Sequence, residues 1–296
     1  MTTLSDAAVP FTRAAEGETL RAVRPRNPGR ASATDTGAAT LALQGISLSF
    51  GGVAALRDVD LAFADGRITA VIGPNGAGKT SLINVISGAY TPDKGRILIK
   101  GRAYKRSPTN RLASLGVART FQNLGLFKGL STFDNVATGL SFAARSTIFE
   151  QVLGIGRAPQ EDIESRRRTE EAIALLRLEP YRDRLVGDLP YGVQKRIELA
   201  RAVVAAPHFL LLDEPLAGMT LEDKAEMSEF IRSVRRRLRA TIVLIEHDIG
   251  LVMSLSDRVA VLDYGRKIAE GTPAEVQADQ AVIDAYLGVP HAGEET

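Results

Sequence analysis

Cysteine and tryptophan are both absent from the 296 residues. The first absence excludes disulfides and thiolate metal centres. Histidine is scarce, and the three present are too scattered for an evident zinc site. No run of about 18 residues is both uncharged and apolar enough to cross a bilayer. The start of the chain has no apolar stretch of the kind a secretory signal needs. An excess of one charge is missing too, since 37 Lys and Arg nearly balance 35 Asp and Glu. The resulting net charge of +2 sets up no global field toward nucleic acid or lipid. These absences predict a soluble, intracellular protein that works at a membrane only if another chain holds it there. A hydrophobic share of 45% is enough to build a core.

Residues 1–40 are rich in Ala, Thr, Arg, Pro and Gly without sustained periodicity, and read as a disordered tail. Leu41 to Phe50 and Val59 to Phe63 alternate as strands do, with Gly51-Gly52 and Asp65-Gly66 as turns. Ile68 to Ile72 reads as a buried strand, Lys79 to Ser87 as the opening of a helix, and Arg96 to Lys100 as another strand. Between about Leu124 and Asp188 the texture is helical, with Phe133 to Leu140 and Glu161 to Leu178 at helical spacing. Arginines 166 to 168 read as a solvated helix face. Strand-like runs return at His208–Leu212, Thr241–Ile245 and Val259–Leu262, separated by helices near Glu222–Leu238 and Ile249–Leu255. This alternation predicts one α/β domain with a parallel, helix-covered sheet, interrupted by a helical insertion.

The octet Gly73-Pro74-Asn75-Gly76-Ala77-Gly78-Lys79-Thr80, followed by Ser81, lies between a buried strand and an amphipathic helix. It matches G-x-x-x-x-G-K-[ST] in the context that motif requires. The glycines let successive backbone N–H groups converge on phosphate oxygens, and the helix adds its positive end. Lys79 is placed to bridge β- and γ-phosphates, and the Thr80 hydroxyl to hold Mg²⁺. The motif says nucleotide without saying which reaction.

In "HFLLLDEP", Asp213 and Glu214 end a buried apolar strand. Asp213 is placed to bind Mg²⁺ directly or through water, and Glu214 to polarise an attacking water. A surface turn is the plain alternative for two adjacent acids. In "LIEHD", His247 follows the next strand at the same sheet edge, within reach of a γ-phosphate and of the water held by Glu214.

With "GPNGAGKT", "RTFQN", "LPYGVQKR", "LLLDEP" and "LIEHD" in that order, the chain from about Leu41 to Gly288 resembles the nucleotide-binding subunit of ABC transporters. The resemblance implies an α/β P-loop fold of the ABC-cassette type, with an antiparallel β subdomain and a helical subdomain at about 124–188. Residues 289–296 then form a C-terminal tail. It implies ATP and Mg²⁺ as ligands, with Gln122 touching the metal and the attacking water. Phe50 would stack on adenine, with Val53 sharing that face; an ordinary core phenylalanine is the alternative. Residues Pro190, Tyr191, Gly192, Val193 and Gln194 occupy the signature that acts on a partner's ATP.

The signature departs from the family's Leu-Ser-Gly-Gly-Gln, because Pro190 has neither hydroxyl nor N–H. The proline suits a helix start, and the Gly192 N–H remains as a donor toward phosphate. "LAGMT" also replaces Ser-Ala-Leu-Asp, which puts Thr220 where an aspartate is common. Stretches such as "FGGVAALRDVDL" and "VIDAYLG" resemble the cassettes that drive uptake of branched-chain and other hydrophobic amino acids. Relatives of that branch handle urea, amides or aromatic acids, or export lipopolysaccharide, and nothing in the sequence touches the cargo. The implied partners are membrane permease subunits, a second ATPase cassette, and indirectly an external substrate-binding protein. No nucleic-acid partner is expected. The implied location is the cytoplasmic face of the inner or plasma membrane. A mechanical ATPase of the same fold, acting on DNA or ribosomes, is disfavoured because one cassette is present without sustained heptads. A P-loop kinase or GTPase leaves the signature-like helix start unexplained.

Overall fold

A computed structural model describes residues 40–120, 125–141 and 158–287. Strands β1 (Leu41–Phe50) and β2 (Val53–Phe63) pair as a hairpin, with Phe50 opposite Val53. Gly51 and Gly52 both take positive φ at its tip, the conformation that matches the twist of a two-residue turn. Strand β3 (Ile68–Ile72) is buried at every position and runs into the phosphate-type loop. Helix α1 (Lys79–Ile86) follows, then β4 (Lys94–Ile99), β5 (Arg102–Tyr104) and β6 (Val117–Arg119). Helices α2 (Thr132–Ala137), α3 (Ala158–Leu175) and α4 (Tyr191–Val203) supply the helical segment before β7 (Phe209–Asp213). The rest is α5 (Leu221–Leu238), β8 (Thr241–Ile245), α6 (Ile249–Leu255), β9 (Arg258–Asp263), β10 (Arg266–Gly271), α7 (Pro273–Gln277) and α8 (Gln280–Leu287).

Two sheets result. One is antiparallel in the order β2-β1-β4-β5; the other runs β10-β9-β3-β8-β7-β6, parallel except for β10 at its edge. Strands β3, β7 and β8 have no exposed residue, as expected of parallel strands covered on both faces. Helix α1 fills the space between the sheets. Its Leu82, Ile83, Val85 and Ile86 join Leu43 and Phe63 on one side and Val71, Leu211 and Val243 on the other. The opposite face of the parallel sheet packs on residues of α4, α5 and α6, including Ile197, Phe230, Ile231 and Val252.

The structure adds β5, β6 and β10, and it extends β2 back to Val53. Strands of three residues are too short for alternation to be visible, and the start of β2 is exposed where no apolar signal is required. Strand β7 starts one residue later than expected, at Phe209, and ends on Asp213. The arginine triplet lies on α3 as a solvated face, paired with Asp162, Glu164 and Glu171. No helix among the described residues is long and apolar enough to cross a membrane. The expected tails, 1–39 and 289–296, and the part of the insertion at 142–157 lie outside the described residues.

Candidate nucleotide-binding site

The loop between β3 and α1 is shaped by close backbone approaches. A Cβ on Gly73 would sit 2.0 Å from the Leu262 carbonyl oxygen, and one on Gly78 would sit 2.5 Å from that of Ala55. The β9–β10 turn braces the loop, with the Gly265 N–H donating to Ala77 O at 3.1 Å. From the C-terminal side, the Tyr286 phenol approaches the Gly73 backbone, and partial burial pushes its ionisation up. Asn75, Gly76 and Thr80 form the exposed rim, while Pro74 and Ser81 are half-buried.

Helix α1 starts without a side-chain cap, since Gly78 is its N-cap. Its first intrahelical bond is Leu82 N–H to Gly78 O at 2.9 Å. The N–H groups of Lys79, Thr80 and Ser81 therefore have no acceptor within the helix, which is the arrangement that receives an anion. Lys79 is 6% exposed, and its Nζ donates to Gly73 O at 2.7 Å and Pro74 O at 2.8 Å. Burial pushes its pKa down, against the pull of the Glu214 carboxylate. An ammonium has three donors, so one remains for a phosphate.

Asp213 ends β7 only 2% exposed. Arg119 Nη2 donates to its Oδ2 at 2.9 Å, while Nη1 reaches Asn84 Oδ1 at 2.7 Å and Ser87 Oγ at 2.9 Å. Burial nevertheless pushes the Asp213 carboxyl up. Arg119 thus ties β6, α1 and β7 together, a role the sequence reading missed. It stands in the quoted "RTFQN", but nothing in the sequence says that α1 and β7 meet there.

One residue on, Glu214 takes φ +50, and its N–H donates to Ile245 O at 2.9 Å. Its Oε1 is 2.6 Å from His247 Nε2. The structure therefore brings Lys79, Asp213, Glu214 and His247 to the carboxyl ends of neighbouring strands β3, β7 and β8. Gln122 lies outside the described residues.

Phe50 and Val53 are 46% and 73% exposed at the hairpin tip, which leaves the core alternative for Phe50 without support. The Phe50 ring meets Tyr90 edge-on at 5.0 Å. In the signature, Pro190 is the N-cap of α4 and makes no side-chain cap bond. Tyr191 donates its hydroxyl to Ala217 O at 3.2 Å, docking on the loop after Glu214 of the same chain. Gly192 is buried against Asp223, Val193 is buried, and the Gln194 amide turns back to Leu189 O at 2.7 Å. Thr220 caps α5 by accepting the Asp223 N–H at 3.2 Å.

A triphosphate fits this cradle of free helix-start amides and a buried ammonium. A hard cation that keeps several waters fits Thr80 and Asp213, which leave its other positions to water and phosphate. Among the described residues there is no cluster of three or more metal-ligating side chains, so a dedicated protein cage is not what is built.

The family model described as "ABC transporter" matches residues 56–217, more than half of the chain. The chain belongs to the ABC transporter family. It is an ATPase cassette of that family, and its C-terminal part, residues 266–292, matches a second model described as "Branched-chain amino acid ATP-binding cassette transporter". The high-affinity branched-chain amino acid transport ATP-binding protein LivG of Salmonella typhimurium is 38% identical over 251 residues, covering 84% of this cassette and 97% of that protein. BraF of Pseudomonas aeruginosa, of the same description, is 36% identical with the same coverage. By contrast, a spermidine/putrescine import ATP-binding protein of Oleidesulfovibrio alaskensis is 34% identical, over 59% of its length. Among solved structures, the ADP conformation of an ATP-binding cassette of an ABC transporter is 27% identical. It superposes with a TM-score of 0.73 over 85% of this cassette and 99% of that chain.

Proposed function

We propose that this cassette is the ATP-binding and ATP-hydrolysing subunit of a transporter that energises import of branched-chain or related hydrophobic amino acids. The observation that carries this reading is the likeness to LivG along 97% of that protein, together with the match of residues 266–292. In this reading the backbone of residues 73–81 and Lys79 hold the phosphates. Thr80, Asp213 and Gln122 hold Mg²⁺, which when bound would offset phosphate charge. Glu214 takes the proton of the attacking water, and His247 orients that carboxylate and the γ-phosphate. Phe50 and Val53 face the adenine. Residues 190–194 complete the site of a second cassette, so ATP joins two cassettes and hydrolysis lets them part. The energy that moves the permease is the difference in affinity of ATP and ADP for the closed and open pairs. The domain limits proposed are 41–288 for the cassette and about 124–188 for its helical part. A permease holds it at the cytoplasmic face of the membrane, and an external binding protein supplies the cargo.

Co-purification in mild detergent tests the partners, and uptake of radiolabelled leucine into membrane vesicles tests the cargo. Permease chains and ATP-dependent leucine uptake that stops in Lys79→Ala are the expected results. Uptake unaffected by Lys79→Ala would overturn the phosphate-binding assignment. ATP-dependent uptake of another solute, with leucine excluded, would overturn the cargo.

A further inference from the structure

Glu246 sits between β8 and His247, and the reaction outlined above gives it no task. Its side chain is 4% exposed, an unusual place for a carboxylate unless it is partnered. The partners are two backbone amides from separate loops. Oε1 accepts the Leu216 N–H at 2.8 Å, and Oε2 accepts the His247 N–H at 3.3 Å. Leu216 lies two residues beyond Glu214, in the loop that Tyr191 also touches. Two more bonds join the same loops: Glu214 N–H to Ile245 O at 2.9 Å, and Glu214 Oε1 to His247 Nε2 at 2.6 Å. Glu246 thus closes a ring around the Glu214–His247 contact, from the buried side. Glu214 holds a left-handed backbone, which a glutamate rarely adopts unless its surroundings impose it.

We infer that Glu246 is a positioning residue of the hydrolytic site, whose buried carboxylate holds the Glu214 turn and the His247 turn in register. The inference rests on reading Glu214 and His247 as the hydrolytic pair. Glu246 acts through the two amides and leaves the phosphate-binding loop alone. Its loss therefore changes how fast bound ATP is cleaved, not how tightly ATP is held.

The test uses the full-length protein and two variants. Glu246→Gln keeps one acceptor but turns an NH₂ group on the second amide. Glu246→Met fills the volume but leaves the Leu216 and His247 N–H groups without their acceptor. ATPase kcat and KM, affinity for a fluorescent ATP analogue, and thermal unfolding are measured together. The expected result is a kcat at least ten-fold lower with KM and affinity within two-fold of the parent, and Glu246→Met melting below the parent but still folded, because two buried N–H groups lose their acceptor. A folded variant with kcat within two-fold overturns the proposal. So does a parallel loss of kcat and nucleotide affinity, and so does failure of both variants to fold, which would make Glu246 a requirement of the fold itself. Glu214→Gln run alongside separates the two readings. If it hydrolyses ATP at the parent rate, the hydrolytic pair is wrong; if it is inactive while Glu246→Gln is not, only the positioning claim falls.

Discussion

Glu214 Oε1 lies 2.6 Å from His247 Nε2, across two loops whose residues are 33 positions apart in sequence. The contact forms because β7 and β8 are neighbours in register, with Asp213 opposite Ile245. Each loop therefore leaves the sheet at the same level. Glu214→Gln preserves the shape and the contact to the imidazole but removes the base. A general base contributes roughly 10²- to 10⁴-fold, so kcat is expected to fall by about that factor. Nucleotide affinity should stay near the parent value, and an ATP-bound pair of cassettes should accumulate on size-exclusion chromatography. Parent-like turnover would remove Glu214 from the reaction.

Asp213 carries a prediction with a definite sign. Burial pushes its carboxyl pKa above the usual 3.8, despite the bond from Arg119. The folded chain thus binds that proton more tightly than the unfolded chain does. Ionised Asp213 costs stability above its folded pKa, and the cost fades as pH falls from there toward 3.8. Asn imitates the protonated side chain. Asp213→Asn is expected to melt no lower than the parent at pH 7, with any advantage shrinking on acidification, while Mg²⁺-dependent hydrolysis is lost. Thermal unfolding across pH, read beside ATPase activity at pH 7, checks both halves. A variant that melts well below the parent at neutral pH would show that pairing with Arg119 outweighs burial.

Pro190→Ser weighs two comparable effects. Serine at a helix N-cap is worth about 1 kcal/mol over a residue that cannot accept from the first-turn amides. Proline offsets this by restricting the unfolded chain, worth roughly 0.4–1 kcal/mol. Since Pro190 makes no cap bond, thermal stability is expected to change little. Hydrolysis should stay level or rise, because the hydroxyl restores a donor toward a partner's phosphate. A large loss of ATPase activity would mean that the proline itself has a task at the contact between cassettes.

Local chemistry was legible from the sequence; meetings between distant segments were not. Ile68–Ile72, Lys79 and Asp213 announce themselves because an apolar run ends at polar residues of unusual type. Phe50 was placed by likeness, and its exposure at a two-glycine turn agrees with a surface role. Arg119, Glu246 and Tyr286 were not legible. Each gains its place from a partner far along the chain: Asp213 for Arg119, Leu216 for Glu246, Gly73 for Tyr286. Thr220 shows the opposite case. In sequence it stands where an aspartate is common, and in the fold it is also an N-cap of a kind that residue type favours.

Two glycines of the phosphate loop separate packing from ligand binding. Gly76 has φ +81 with open space where a Cβ would go, whereas Gly73 has φ +150 and a Cβ there would lie 2.0 Å from the Leu262 carbonyl oxygen. Gly76→Ala carries only the strain of a left-handed alanine, about 1–2 kcal/mol. At about 2–4 °C per kcal/mol for a chain of this class, its melting temperature should drop by roughly 2–8 °C. Gly73→Ala cannot be accommodated without moving the end of β9, because the obstacle is backbone and not a side chain that can rotate away. It is expected to lose more than about 10 °C or fail to fold, even without nucleotide. If Gly73 had no packing role, both variants would carry only the small loss due to backbone strain in the absence of ATP and differ mainly in ATP-induced stabilisation. Differential scanning fluorimetry with and without ATP distinguishes the cases, since a ligand-free defect in Gly73→Ala beyond that of Gly76→Ala belongs to the contact between Gly73 and Leu262.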